Sequence, residues 1–141
     1  MPLSGAKAMR LNDPGLLETR AYLAGAWVQT SARLTVHDPA RGTLLAEVAD
    51  CSRTDAATAI AAAKAAQPAW AALTGKERAA ILRRWHDLVV ANADDLAAIL
   101  TAEMGKPLAE ARGEILYGAS YIEWFAEEAK RVYGETIPGH Q

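Results

Sequence analysis

Apolar residues recur at helical spacing through the second two-thirds of the chain. Repeats of three and four residues between hydrophobic positions predict amphipathic helices there. The four predicted helices cover about residues 55–69, 75–91, 93–104 and 107–133. The chain is therefore expected to be mostly helical after residue 55.

Short polar residues, glycines and prolines mark the predicted helix ends. Ser52 or Thr54 can cap the first helix, which Pro68 is expected to close, and Thr74 with Glu77 forms a capping box for the second. The third helix is bounded by Asn92 and Gly105, and the fourth by Pro107 and Gly134. These positions follow the usual preference for polar caps at helix starts and glycine just past helix ends.

In the first third of the chain, short apolar runs bounded by turn residues predict β-strands. Residues 1–21 form an irregular N-terminal arm with a helical turn after Asn12, and residues 22–49 contain short strands. A hairpin is expected around Gly25, and residues 38–42 read as a turn between two further strands. Because two-stranded sheets are marginal in water, these hairpins need other partners.

The first two helices are each expected to bury one face. Small and apolar residues define these faces: Ala59, Ile60, Ala63 and Ala66 in the first helix, and Ile81, Leu82, Trp85, Leu88 and Val89 in the second. The second helix also carries Arg83, Arg84, His86 and Asp87, which are interpreted as its solvated side.

The fourth predicted helix has two apolar rows. A stripe of small residues comprises Ala111, Ile115, Ala119, Ile122, Ala126 and Ala129, and a second row comprises Gly113, Tyr117, Tyr121 and Trp124. Glu127 and Arg131 are spaced as an exposed i, i+4 ion pair. The aromatic row is either core or the lining of a ligand passage or interface. In either case the helix needs two neighbours.

Composition excludes several classes of protein. Of 141 residues, 51% are hydrophobic but only 6% aromatic, so the core depends on closely approaching helices. A net charge of −2 with interspersed signs argues against a helix-turn-helix or other nucleic-acid binder. No run approaches the roughly 20 apolar residues of a membrane span. The lone Cys51 excludes an internal disulfide and favours a reducing, cytoplasmic setting.

Candidate chemistry in the chain is sparse. Cys51 precedes a helix start, where a thiolate is stabilised, but no histidine lies near it in sequence, so a structural role is favoured. Glu110 and Glu114 share a helix face, which is more typical of a solvated surface than of an acid–base pair. No phosphate-binding glycine motif is present. No catalytic or cofactor-binding residue is assigned.

A set of ordered motifs nevertheless identifies a family. The motifs are YLAGAW from Tyr22, DPARG from Asp38, LTGKER from Leu73, TAEMGKPLAEARGEI from Thr101 and WFAEEAKRVYGETIPGHQ from Trp124. In this order they resemble the N-terminal part of the NAD(P)-dependent aldehyde dehydrogenases, particularly the succinate-semialdehyde dehydrogenases.

The resemblance implies an α/β protein in which this segment is the mostly helical N-terminal layer of the cofactor-binding domain, with a few short strands. Residues 22–141 would be an incomplete portion of an enzyme that oxidises an aldehyde, with succinate semialdehyde expected, to the acid using NAD or NADP. The family's catalytic cysteine, glutamate and asparagine would lie beyond Gln141, so the chain alone is expected to be inactive and to bind NAD(P) weakly. Its partners would be the aldehyde substrate and either further copies or the missing C-terminal part. The alternative is a non-catalytic helical interaction module, or one half of a split enzyme.

Two secondary sites carry over from the resemblance. Gly113, Tyr117 and Tyr121 match positions that line the mouth of the family's substrate tunnel. The main chain of Val36 and the carboxylate of Glu103 match oxygens that hold a structural monovalent cation in some relatives.

Overall fold

Two antiparallel hairpins lead into four helices in the structure, a computed structural model that describes residues 9–139. The strands are β1 (Ala21–Leu23), β2 (Ala26–Val28), β3 (Arg33–His37) and β4 (Leu44–Ala49). The helices are α1 (Arg53–Ala72), α2 (Gly75–Ala91), α3 (Ala93–Met104) and α4 (Leu108–Glu128). The predicted turn in the arm is a 3₁₀ turn at Pro14–Leu16, and the arm's first eight residues lie outside the described range.

Both predicted hairpins are confirmed. The β1–β2 turn places Ala24 at φ 51° and Gly25 at φ 88°, the two positive values that a tight primed turn requires. The β3–β4 pair runs in register from Arg33 opposite Ala49, with an irregularity after Val36. Each sheet has only two strands, so the hairpins depend on the rest of the chain for support.

The turn between β3 and β4 is held by the carboxylate and main chain of Asp38. Its Oδ1 accepts a hydrogen bond from the Ala40 N–H at 2.8 Å, and its carbonyl accepts one from the Gly42 N–H at 2.7 Å. Gly42 has φ 68°, the left-handed conformation that glycine adopts without strain. The predicted turn over residues 38–42 is therefore confirmed.

The bounds of α2 and α3 agree with the prediction, but those of α1 and α4 do not. α1 continues through Pro68 to Ala72, although an interior proline loses one hydrogen bond and crowds the carbonyl four residues earlier. The alanines on either side favour helix and offset part of this cost. α4 ends at Glu128, five residues before the predicted end at 133. Gly134, predicted to end α4, has φ 72° but lies in the irregular segment beyond the helix.

Three of the predicted end signals behave as expected. Ser52 with Asp55 and Thr74 with Glu77 form complete capping boxes, and Gly105 ends α3 in the left-handed conformation. Asn92 lies at the N-cap position of α3, as predicted, but its side chain does not cap that helix. Its side-chain amide donates to the Leu88 carbonyl at 2.8 Å, so it closes the end of α2 and makes no side-chain cap for α3.

Alanine forms the core where α4 packs against α2 and α3. The buried hydrophobic residues of the described chain are Ala79, Ala93, Ala97, Ala111, Ala119 and Ala126. None of the large side chains between residues 9 and 139 is fully buried. The predicted small-residue stripe of α4 is thus its packed face, and the short alanine side chain allows the close helix approach.

The predicted buried face of α1 is wrong. No residue of α1 is buried, and Ile60 is 69% exposed. The main neighbour of α1 is β1, and no second helix covers its apolar side within the described residues. Periodicity indicates which residues share a face, but it does not supply the neighbour that buries them.

The predicted faces of α2 are also partly reversed. Ile81, Trp85 and Leu88 are exposed, whereas Arg83 and His86, interpreted as solvated, lie half-buried on the side of α4. Ala79 is the buried residue of α2, so contact with α4 is made along its small side. The large apolar residues consequently point away from the core of this chain.

No helix between residues 9 and 139 is both long and apolar enough to cross a membrane.

Candidate functional site

The outer face of α4 carries a groove lined mainly by aromatic residues. Its volume is about 720 Å³, and its aromatic lining comprises Tyr117, Tyr121, Trp124 and Phe125. All four side chains are at least half exposed. The interpretation of the predicted aromatic row as core is therefore wrong for the described chain. The alternative interpretation, that the row lines a ligand passage or an interface, stays a prediction.

Two tyrosines one helical turn apart form a pair in this groove. The hydroxyl oxygens of Tyr117 and Tyr121 are 2.6 Å apart, and their rings meet edge to face with centroids 5.1 Å apart. The hydrogen bond from this pairing, together with desolvation, raises the pKa of Tyr121 above its usual value. A tyrosine hydroxyl is protonated at neutral pH even without this shift, so that of Tyr121 serves as a hydrogen-bonding group.

Gly113 lies one turn before Tyr117 on the exposed surface of α4. Apart from the adjacent residues and the backbone of α4 itself, no atom of the described chain lies within 4 Å of the position that a Cβ would occupy there. The three predicted mouth residues thus follow one another along the open side of the helix. Gly113 contributes no side chain to this surface, whereas the two tyrosines contribute aromatic rings that end in hydroxyl groups.

Arg83 of α2 forms the charged wall of the groove. Its guanidinium donates to Glu123 Oε1 at 2.6 Å and to Glu127 Oε1 at 2.8 Å. Lys130 and then Arg83 lower the pKa of Glu127 by hydrogen bonding to its carboxylate. These contacts join α2 to the second half of α4, and sequence reasoning missed them because they connect residues 40 and 44 positions apart.

The predicted ion pair between Glu127 and Arg131 is wrong. Glu127 pairs with Arg83 and with Lys130, whereas Arg131 pairs with Glu128 at 2.6 Å. Because α4 ends at Glu128, Arg131 no longer lies one helical turn above Glu127.

The groove provides binding surface without a nucleophile–base pair. Cys51 is exposed ahead of α1 and is not among the groove residues. His86, the nearest imidazole on α2, has its Nδ1 2.9 Å from Asp87 Oδ1. Glu114 pairs with Lys106, and Glu110 is exposed, which agrees with a solvated helix surface.

Val36 and Glu103 lie on segments that approach each other. Pro39 Cγ is 3.0 Å from the position that a Cβ on Gly105 would occupy, so the β3–β4 turn touches the end of α3. Val36 is half-buried near this turn, and Glu103 is exposed in the last turn of α3. Within residues 9–139, no three His, Cys, Asp or Glu residues are grouped closely enough to hold a metal ion.

A second cavity lies between the arm, the β3–β4 hairpin, α3 and the first residue of α4. It has a volume of about 790 Å³ and a largely apolar lining that includes Leu17, Leu45 and Leu108. The Oγ1 atom of Thr101 at its wall is buried and has no hydrogen-bond partner in the described part of the chain. The sequence contained no signal for this cavity, because its walls come from four separate segments.

Comparison with known proteins gives consistent matches along the chain. It is 54% identical over 135 residues to glutarate-semialdehyde dehydrogenase from Pseudomonas aeruginosa and 52% identical to succinate-semialdehyde dehydrogenase [NADP(+)] from Escherichia coli. Each match covers 94% of this chain and 28% of the relative. The crystal structure of succinate-semialdehyde dehydrogenase from Burkholderia pseudomallei superposes with a TM-score of 0.89 at 56% identity, covering 93% of this chain and 28% of that one.

The matched segment is the N-terminal part of these relatives, so the chain spans little more than a quarter of their length. The sequence model described as "Aldehyde dehydrogenase family" matches residues 27–141, which include the last two residues of β2, strands β3 and β4, and all four helices. From this match and the shared fold, the chain belongs to the aldehyde dehydrogenase family.

Proposed function

We propose that this chain is the N-terminal part of an NAD(P)-dependent semialdehyde dehydrogenase. The complete protein would oxidise succinate semialdehyde, or its one-carbon-longer homologue glutarate semialdehyde, to the dicarboxylate. Water supplies the added oxygen, and hydride passes to NAD⁺ or NADP⁺. The observation that carries this proposal is identity above 50% across 94% of the chain to relatives named for these two substrates.

On this proposal the chemistry belongs to the part of the relatives that the chain does not span. The described residues offer an aromatic groove and charged walls, but they bring no thiol together with a base. The chain would contribute the helical layer that supports the cofactor domain and one side of the approach to the active site. The alternative is a non-catalytic interaction module or one half of a split enzyme. The observation that favours this alternative is the exposed apolar surface of α2 and α4.

The test compares the chain alone with a chimaera. In the chimaera, residues 1–141 replace the matched segment of the Pseudomonas aeruginosa relative. NAD(P)H formation is followed by absorbance with each semialdehyde and with each cofactor in turn. We expect no turnover by the chain alone and turnover by the chimaera. Turnover by the purified chain alone, or a folded chimaera that is inactive with both semialdehydes, would refute the proposal.

We also propose that Gly113, Tyr117 and Tyr121 line the mouth of the substrate tunnel. Their exposure in one row and the paired tyrosine hydroxyls support this role, because a row of open aromatic surface suits an apolar approach path. In the chimaera, Tyr121→Ala should change KM more than kcat, whereas Tyr22→Ala on the remote hairpin should change neither. An unchanged KM in Tyr121→Ala would argue against the assignment.

For the cation, we propose the carbonyl oxygen of Val36 and the carboxylate of Glu103 as two of its ligands. Both are oxygen donors, which hard cations prefer, and they lie on segments joined by the contact of Pro39 with Gly105. Replacing choline with potassium or sodium should raise the melting temperature of the chimaera. Glu103→Gln should abolish this increase. An equal shift in the variant would exclude Glu103 as a ligand. The cytoplasmic location expected from the single cysteine stays a prediction, as does assembly with further copies.

A further inference from the structure

The N-terminal arm forms one wall of the second cavity. Met9, Arg10 and Leu17 of the arm line it, together with Leu45 of β4 and Ala98 of α3. Its volume of about 790 Å³ lies in the range of cavities that hold small molecules. The lining residues of the arm come from both sides of residue 12, so the arm runs along the cavity. Residues 12–19 are defined here as the strap.

The strap begins at a contact with a buried side chain of α3. The main-chain N–H groups of Asn12 and Asp13 and the side-chain amide of Asn12 donate to the carboxylate of Asp95, at 2.8 to 3.0 Å. Asp95 is buried, and hydrogen bonds to a charged acceptor are stronger than those between neutral groups. This contact is defined here as the latch, and it depends on a single carboxylate.

The strap ends at a contact between main-chain atoms. The Ala49 N–H of β4 donates to the Thr19 carbonyl at 2.8 Å. On either side of Thr19, the Glu18 carboxylate accepts hydrogen bonds from the main-chain N–H of Arg20 at 2.9 Å and from its guanidinium at 2.7 Å. The chain then continues directly into β1 at Ala21. This end of the strap is therefore fixed by the backbone of the two hairpins and does not depend on the latch.

Between its two ends the strap contains a turn that is held by its own atoms. The 3₁₀ turn Pro14–Leu16 is capped by Asp13, whose Oδ1 accepts a hydrogen bond from the Gly15 N–H at 2.9 Å. No residue of this turn is buried. Leu17, which follows the turn, is half-buried and lines the cavity. The strap can therefore keep its local shape when its contact with α3 is lost.

The strap contributes nothing to the packed core. The buried hydrophobic residues of the described chain all lie on α2, α3 and α4. A segment with few buried contacts opens locally at a lower free energy than the whole fold. Loss of the latch is therefore expected to move the strap and to leave the three-helix core in place.

We propose that the strap is a conformational device that opens and closes the second cavity, with its hinge at Thr19 and its latch at Asp95. In the closed form, which the structure shows, Leu17 lies against the cavity. In the open form the latch is broken, the strap turns about Thr19, and the walls on α3 and on the β3–β4 hairpin become accessible. Hinges of this kind are a few residues at the end of an element, which is where Thr19 lies.

The test measures the rate at which a thiol in the cavity wall reacts with a maleimide. The 141-residue chain carries Cys51→Ser, because Cys51 is exposed, and one new thiol from Ala98→Cys or Thr101→Cys. Both residues line the cavity on α3, and the Oγ1 atom that the new thiol replaces in Thr101→Cys is buried. A protected thiol reacts in proportion to the population of the open form when closing is faster than the reaction.

Variants at the latch set the expected rates. Asp95→Ala leaves the donors of the strap without an acceptor, so the wall thiols should react about tenfold faster than in the parent chain. Asp95→Asn keeps one carbonyl oxygen as an acceptor and should give a smaller increase. The matched control is Asp94→Ala, which removes the neighbouring exposed carboxylate and should leave both rates unchanged.

A reporter in the core separates strap opening from unfolding. Ala79 of α2 is 7% exposed and is not among the residues of the cavity, so the thiol of Ala79→Cys should react at the same slow rate with and without the latch. Two results would overturn the proposal. One is an unchanged rate at both wall thiols in Asp95→Ala. The other is an equal increase at Ala79→Cys and at the wall thiols in both Asp95 variants, which would show that Asp95 stabilises the whole fold. The readout needs no turnover, so it is independent of the proposed oxidation.

Discussion

The carboxylate of Asp95 accepts two hydrogen bonds from Asn12, which is 83 residues away in the sequence. The Asn12 main-chain N–H and its side-chain amide both donate to Oδ1 at 3.0 Å. The Asp13 main-chain N–H donates to Oδ2 at 2.8 Å. Asp95 is 6% exposed, so a buried residue at the start of α3 fastens the N-terminal arm to the helical layer.

Replacing Asp95 should release the arm. Asp95→Ala leaves two main-chain N–H groups and one amide without their acceptor, and buried donors without partners are costly. We expect trypsin to cleave after Arg10 roughly tenfold faster than in the native chain, since local opening governs proteolysis there. The matched control is Asp94→Ala, which removes only an exposed ion pair with Arg112. Equal cleavage rates in the two variants would mean that Asp95 does not hold the arm.

The same contact should weaken in acid. Hydrogen bonds from the main chain of Asn12, then from that of Asp13, lower the pKa of Asp95 below its usual value. A carboxyl whose pKa is lower in the folded state stabilises that state above its unfolded pKa, and loses this contribution as pH falls through the folded pKa. Arm protection is therefore expected to be constant near neutrality and to decline only below the ordinary aspartate range near pH 4. Hydrogen exchange at the Asn12 and Asp13 amides, followed from neutral to acidic pH and compared with Asp95→Ala, measures it. A decline at neutral pH would contradict this cause.

Gly75→Ala should destabilise the helical layer. A Cβ at Gly75 would lie 2.5 Å from the Ala129 carbonyl oxygen and 3.3 Å from Lys130 Cα. Backbone atoms cannot move aside as the end of a flexible side chain can, so the start of α2 and the end of α4 must separate. We expect this to lower the free energy of unfolding by about 1–3 kcal/mol. Urea unfolding measures the change. Gly118→Ala is the control, because its Cβ meets no atom within 4 Å and should stabilise α4 by about 0.5–1 kcal/mol.

Gly105→Ala combines backbone strain with a close approach. Gly105 has φ 76°, and its Cβ would lie 3.0 Å from Pro39 Cγ. The left-handed conformation alone costs an L-residue about 1–2 kcal/mol. Gly42→Ala shares the positive φ, at 68°, but has open space around it. Gly105→Ala should therefore lose more unfolding free energy than Gly42→Ala, and equal losses would show that the contact with Pro39 does not resist the methyl group.

The isolated chain should associate as its concentration rises. Its buried core is made of alanines, while Ile81, Trp85 and Leu88 of α2 and the four aromatic residues of the α4 groove are exposed. Sedimentation velocity over a range of concentrations should show growing oligomers, and Trp124→Ala should reduce them. Calorimetry should give a weak transition. A sharp, concentration-independent transition of a monomer would contradict this expectation.

Local chemistry in the sequence determined the hairpins, three of the end signals and the bounds of α2 and α3. Each of these depends on a few adjacent residues: Gly25 in a turn, Thr74 with Glu77 at a cap, Gly105 past a helix. The ordered motifs also identified the family, which the matches to known relatives confirm. These features need no distant neighbour, so a single sequence contains the information for them.

Tertiary structure alone decided which faces are covered. Helical spacing grouped Ile81, Trp85 and Leu88 correctly, but α4 packs on the alanine side of α2 and leaves that group exposed. It also decided that Arg83 joins Glu123 and Glu127, and that Asp95 holds Asn12. Such contacts join residues tens of positions apart. Helical periodicity shows which residues share a face of one helix. Whether that face is buried depends on which other element packs against it.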